Sequence, residues 1–134
     1  MADLNWLVDH RFQSMTRREW DWVFVFEPEV NLVVGCLWRL VENGRIRLTS
    51  ADDGQQFGLS APLDAVDEIK QRLTSASVKK VELREGLLDL DIHFNTGHVL
   101  QVIPDSSGYE AWTLSHEAQH YLAVGGGDLS VWGE

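Results

Sequence analysis

Between Asp89 and Ile103 the chain alternates apolar and polar residues on either side of a tight turn, and that alternation leaves few folds open. Leu90, Ile92 and Phe94 alternate with Asp89, Asp91 and His93, the two-residue period of a strand with one buried face. After the turn, Leu100 and Val102 alternate with Val99, Gln101 and Ile103. A two-residue loop at Thr96-Gly97 would pair Ile92 with Gln101 and set the faces out of step. A three-residue loop, Asn95-Thr96-Gly97, pairs Ile92 with Leu100 and Leu90 with Val102. It also puts Gly97 at the left-handed position that such a loop requires. A slip of one residue would turn the whole apolar set to the wrong face, so the three-residue loop is the expected one.

Other segments extend the strand pattern. In residues 20–26, Trp20, Trp22, Phe24 and Phe26 fall on one strand face. The six tryptophans read as mostly core or half-core. Trp20 and Trp22 could instead floor an exposed groove, since four aromatics on one strand face exceed what one helix need cover. Glu27-Pro28-Glu29 reads as a turn. Residues 30–41 are apolar on both faces, as in a central strand covered on both sides or one bent at Gly35. Asn43-Gly44 marks a hairpin whose two-residue turn pairs Glu42 with Arg45 and Val41 with Ile46, and the strand after it runs to about Thr49. Ala51-Asp52-Asp53-Gly54 reads as another turn, and residues 55–59 as a short strand. Residues 4–12 fit a strand and a short helix equally.

One helix is expected at about residues 62–75. Pro62 suits its first turn, with Ser60 or Ala61 near the cap. Leu63, Val66, Ile69 and Leu73 form an apolar stripe. Asp64, Asp67 and Glu68 come early and Lys70 and Arg72 late, as the helix dipole favours. Strands follow at residues 78–83, 109–114, about 120–124, and 129–132, with Gly125-Gly126-Gly127-Asp128 turning between the last two. The expected architecture is a single α+β domain over residues 1–134. It is an antiparallel β meander, as one strongly curved sheet or two sheets, with one main helix packed on it.

With 44% hydrophobic residues in 134, the chain should be globular. Its net charge of -10 repels nucleic-acid backbones and anionic membranes; it fits a soluble protein whose acidity serves solubility, a basic partner being the other reading. No apolar run reaches the length of a membrane span, and the first residues lack the pattern of a secretory signal, so a cytoplasmic location is expected. Cys36, the sole cysteine, lies in an apolar run and reads as a buried, inert thiol.

A resemblance joins several of these segments. Trp38-Arg39-Leu40 ends a strand, Asp52-Asp53 sits in a turn before the helix, Asp89-Leu90 opens a hairpin, and Glu110-Ala111-Trp112 begins a later strand. This order resembles a family of small bacterial β-rich proteins, a domain of unknown function, over about residues 30–114. The resemblance brings no activity. In style such proteins are like immunity proteins, which neutralise a partner toxin by binding it.

The sharpest chemical motif is His116-Glu117-Ala118-Gln119-His120, which matches H-E-x-x-H. On a helix, His116 and His120 would lie one turn apart and share a zinc ion, with Glu117 as general base for bound water. The flanking residues are strand-like, however, and no third ligand stands at the spacing of such enzymes. The five residues therefore read as a polar loop between two strands. A zinc-dependent hydrolase on His116, Glu117 and His120 is the alternative.

Weaker features read structurally. His93 and His98 flank the hairpin tip, with His93 on the face of Asp91; a solvated face is expected, a metal contact or proton relay being the other reading. Tyr109, Glu110 and Trp112 read as packing and capping a strand. Asp52-Asp53-Gly54 lacks the full calcium-loop spacing. The glycine triplet precedes a strand and so is no phosphate loop. Arg17-Arg18 is too short for a nucleic-acid patch. No residues present a catalytic or cofactor-binding set, and no cofactor is implied. The expected activity is binding, with a protein partner or a second copy of the chain, and without nucleic acid or membrane.

Overall fold

A computed structural model describes residues 2–133 as two antiparallel β-sheets with one α-helix, an α+β arrangement. The first strands are β1 (Arg11–Arg17), β2 (Trp22–Glu27), β3 (Val30–Val34), β4 (Leu37–Glu42) and β5 (Arg45–Thr49). Helix α1 (Ala65–Leu73) follows, then β6 (Val78–Leu83), β7 (Leu90–Phe94) and β8 (Val99–Ile103). The last are β9 (Trp112–His116), β10 (Gln119–Val124) and β11 (Asp128–Trp132). One sheet has the order β1-β2-β3-β9-β10-β11 and the other β5-β4-β8-β7-β6. No helix of the described residues is long and apolar enough to cross a membrane.

Both expected hairpin registers are present. Ile92 faces Leu100 and Leu90 faces Val102, with Gly97 at φ 92°. Glu42 faces Arg45 and Val41 faces Ile46 across Asn43-Gly44, both turn residues having positive φ. Residues 30–41 form neither a single covered strand nor a merely bent one. The chain leaves the six-stranded sheet after Val34, passes Gly35-Cys36 and enters the five-stranded sheet at Leu37. Val30, Leu32 and Val34 are buried from one side of the core and Trp38 and Leu40 from the other.

Trp38 lies at the centre of that core. Its ring meets Trp22 edge-on at 5.1 Å and Phe24 edge-on at 5.5 Å, so the two sheets touch through three aromatic rings. Such pairs contribute about 0.5–1.5 kcal/mol each beyond the area they bury. Trp22 is thus core, not the floor of a groove. Trp20 is 85% exposed and lies outside β2, in the turn that Arg18 and Asp21 close with paired side-chain hydrogen bonds of 2.5 and 2.7 Å.

Two local expectations need correction, and a third segment, left open between strand and helix, holds both. Helix α1 starts at Ala65, not Pro62, because Leu63 is tied to the preceding loop: its N–H donates to the Gln55 carbonyl and its carbonyl accepts from Gly54. Asp64 then caps the helix by accepting from the Asp67 N–H at 3.1 Å, and Asp53 accepts from the Ala65 N–H at 2.8 Å. Residues 55–59 form turns, with Phe57 and Gly58 at positive φ, and not a strand. Residues 4–12 divide between a 3-10 turn at Asn5–Leu7 and the start of β1. The apolar stripe holds in part: Ala65, Ile69 and Leu73 are fully buried, while Leu63 and Val66 pack at the core's margin.

Candidate functional site

The two-residue period that buries Leu90, Ile92, Leu100 and Leu40 sends the intervening side chains to the opposite face of the five-stranded sheet. Register then lines them up. Arg39 faces Gln101, Gln101 faces Asp91, and Asp91 faces Glu82, so one polar row crosses β4, β8, β7 and β6. The Arg39 Nε donates to Gln101 Oε1 at 2.6 Å, and Gln101 Nε2 donates to Asp91 Oδ2 at 3.4 Å. The row floors an open cleft of about 350 Å³, which Leu83, Arg84, Asp89 and Ile103 complete. Arg84 and Asp89 are brought together by the turn between β6 and β7, where the Arg84 N–H donates to the Asp89 carbonyl at 2.9 Å.

Glu82 is held from the next row. His93 Nε2 lies 2.7 Å from Glu82 Oε1, and Lys80 Nζ lies 3.7 Å from Glu82 Oε2. The hydrogen bond to His93, followed by the charge of Lys80, lowers the Glu82 carboxyl below its ordinary range. Glu82 is therefore a carboxylate at neutral pH, suited to attract a cation and unsuited to donate a proton. Donor atoms of Glu82, Asp91 and His93 lie within 4.8 Å of one another, a set with the composition of a divalent-cation site. Glu82 and His93 already satisfy each other, however, and Lys80 competes for the same carboxylate. As expected, His93 shares the face of Asp91. His98 is placed apart: its Nδ1 meets Thr96 Oγ1 at 2.8 Å and its Nε2 lies 3.9 Å from Glu42.

The H-E-x-x-H segment spans a hairpin, as the polar-loop reading requires, and not a helix. Gln119 faces His116 and His120 faces Ser115, with Glu117 at φ 54° in the turn. His116 shares the inner face of Leu114 and Val30, whereas His120 shares the outer face of Ser115. The two imidazoles thus leave opposite faces of the sheet and do not form the one-sided pair of a zinc helix. His120 Nδ1 meets Ser115 Oγ at 2.9 Å and its ring stacks on Trp132 at 5.2 Å. His116 instead stacks on Trp6 at 4.2 Å and meets His10 edge-on at 5.6 Å. Neither Trp6 nor His10 was signalled by sequence, because more than a hundred residues separate them from His116.

The remaining features serve the fold. Asp52 accepts from the Thr49 N–H at 2.9 Å, and Asp53 pairs with Arg17 as well as capping α1, so the acidic turn is structural. The glycine triplet closes three loops together. A Cβ at Gly125 would come within 2.6 Å of Gly108, and one at Gly127 would overlap the Gly86 carbonyl. Burial, reinforced by the charge of Asp105, pushes the Cys36 thiol up to about 12. Trp112 is buried and donates to the Leu88 carbonyl at 3.0 Å, while Tyr109 is exposed.

Among known protein families, a family model described as "Family of unknown function (DUF6188)" aligns with residues 5–133. No curated protein and no solved structure matches the chain.

Proposed function

We propose that this chain, which belongs to the DUF6188 family of unknown function, works by binding, and that its outer-face cleft takes up a cationic side chain of a protein partner. The row Arg39–Gln101–Asp91–Glu82 carries this reading. One end of it holds Asp91 and Glu82 on paired strands, with Asp89 beside them in the turn before β7. A lysine ammonium or arginine guanidinium would find acceptors at that end, and the Gln101 hydrogen bond would hold Asp91 in place. The net charge of -10 adds long-range attraction for a basic partner. A stoichiometric inhibitor role of the immunity kind, in the cytoplasm, is consistent with such binding.

Binding of labelled hexalysine and hexaglutamate peptides to the whole protein, followed by fluorescence anisotropy, tests this. The lysine peptide should bind, weaken with added salt, and lose at least about tenfold in affinity with Asp91→Asn or Glu82→Gln. Equal binding of both peptides, or unchanged affinity in both variants, would contradict it.

A further inference from the structure

We infer that β11 is a self-pairing edge, through which two copies of the chain join their six-stranded sheets into one antiparallel sheet. Edge strands expose unpaired N–H and C=O groups and are ordinarily shielded by charges, proline or a covering element. Three of the four sheet edges among the described residues are shielded in this way. The β1 edge begins and ends with Arg11 and Arg17, is bridged to Ser77 at its start and has α1 beside it. The β5 edge carries Arg45 and Arg47. The β6 edge carries Lys79, Lys80 and Glu82, and its first residue, Val78, exchanges backbone hydrogen bonds of 2.8 Å with Asp9 and His10.

β11 differs from all three. After Asp128 it reads Leu129, Ser130, Val131, Trp132, without lysine, arginine or proline. Val131 is 45% exposed and Trp132 48% exposed, and no described element lies against the strand's free side. Leu129 and Val131 face Ala123 and Tyr121 and continue the inner apolar face; Leu129 packs against the margin of the core, and Val131 lies past the point where the described chain covers it.

A second copy is the occupant that this strand fits. In an antiparallel pair centred on Ser130, Leu129 lies opposite the partner's Val131, and both fall on the inner face. Apolar residue then meets apolar residue along the extension of the core. On the outer face Asp128 lies opposite the partner's Trp132, whose ring is stacked on His120 in its own sheet. The sole acid of each strand thus meets the free side of the other copy's Trp132, and the two acids stay at opposite ends. Ser130 faces the partner's Ser130 across the two-fold axis. A pair built on one five-residue edge is small, so its Kd should be on the order of micromolar or weaker.

Sedimentation velocity across a concentration series, combined with a crosslink at the predicted axis, tests this. Wild type should move from monomer to dimer with rising concentration. Val131→Lys, at an exposed position, should stay monomeric while keeping the wild-type melting temperature. Directly opposed residues in an antiparallel pair bring Cα atoms within disulfide range, so Ser130→Cys should form an intermolecular disulfide under a mild oxidant such as copper phenanthroline. A Ser60→Cys control, on an exposed loop, should crosslink at least about tenfold more slowly. Wild type that stays monomeric throughout, or Ser130→Cys that crosslinks no faster than the control, would overturn the inference.

Discussion

His93 and Glu82 lie diagonally across β7 and β6, with the imidazole Nε2 2.7 Å from the carboxylate Oε1. The contact lowers the Glu82 carboxyl from its ordinary value near 4.5. A depressed carboxyl stabilises the fold above its unfolded pKa, and that contribution is lost as pH falls through the lower, folded value. Wild type should therefore lose melting temperature relative to Glu82→Gln as pH drops from about 5 to about 3. Parallel melting curves across the acid range would contradict the pairing. Added salt should shrink the effect, since Glu82 is exposed.

Trp38 and Trp20 should behave oppositely. Trp38→Ala removes a fully buried ring that touches Trp22 and Phe24, and should cost about 3–5 kcal/mol in urea unfolding. Trp20→Ala, at an exposed turn position, should change stability by less than about 0.5 kcal/mol. Similar losses in the two variants would show that the sheet contact is misplaced.

Two glycines separate backbone strain from steric exclusion. Gly97, at φ 92°, has open space where a Cβ would stand, so Gly97→Ala should cost about 1–2 kcal/mol from its left-handed backbone. Gly127, at φ 90°, would add overlap with the Gly86 carbonyl, and Gly127→Ala should cost distinctly more. Equal melting temperatures for the two would mean that the loops after β6 and β10 do not meet.

Cys36, half-buried and with its thiol pushed up to about 12, should react slowly with a thiol reagent. At pH 8 its thiolate fraction is on the order of one in ten thousand. Labelling should accelerate by orders of magnitude in urea. Rapid labelling of the native protein would place the thiol in the open.

Local chemistry was legible in the sequence, and long-range assembly was not. The turns at Asn43-Gly44 and Gly97 followed from residues that tolerate positive φ, and their registers from the alternation on either side. Strand β1 was hidden by a bulge between Phe12 and Ser14, which lets Phe12 and Met15 both face the core although three positions apart. The helix start was obscured because Leu63, an apolar residue in phase with the stripe, is held by the loop. In residues 30–41, Gly35 marked the place of the break, but nothing local showed that the two halves join different sheets. Half of the candidate site was implied, since the hairpin register places Asp91 opposite Gln101. Arg39 and Glu82 join that row only through strand pairings that no local pattern specifies.

Mapping backbone amide shifts of the whole protein during titration with hexalysine locates the surface that takes up the ammonium groups. Binding in the cleft predicts that the largest shifts cluster at Glu82, Asp89, Asp91 and Gln101 and disappear in Asp91→Asn. Shifts concentrated elsewhere, or none at a concentration that saturates the anisotropy signal, would contradict it.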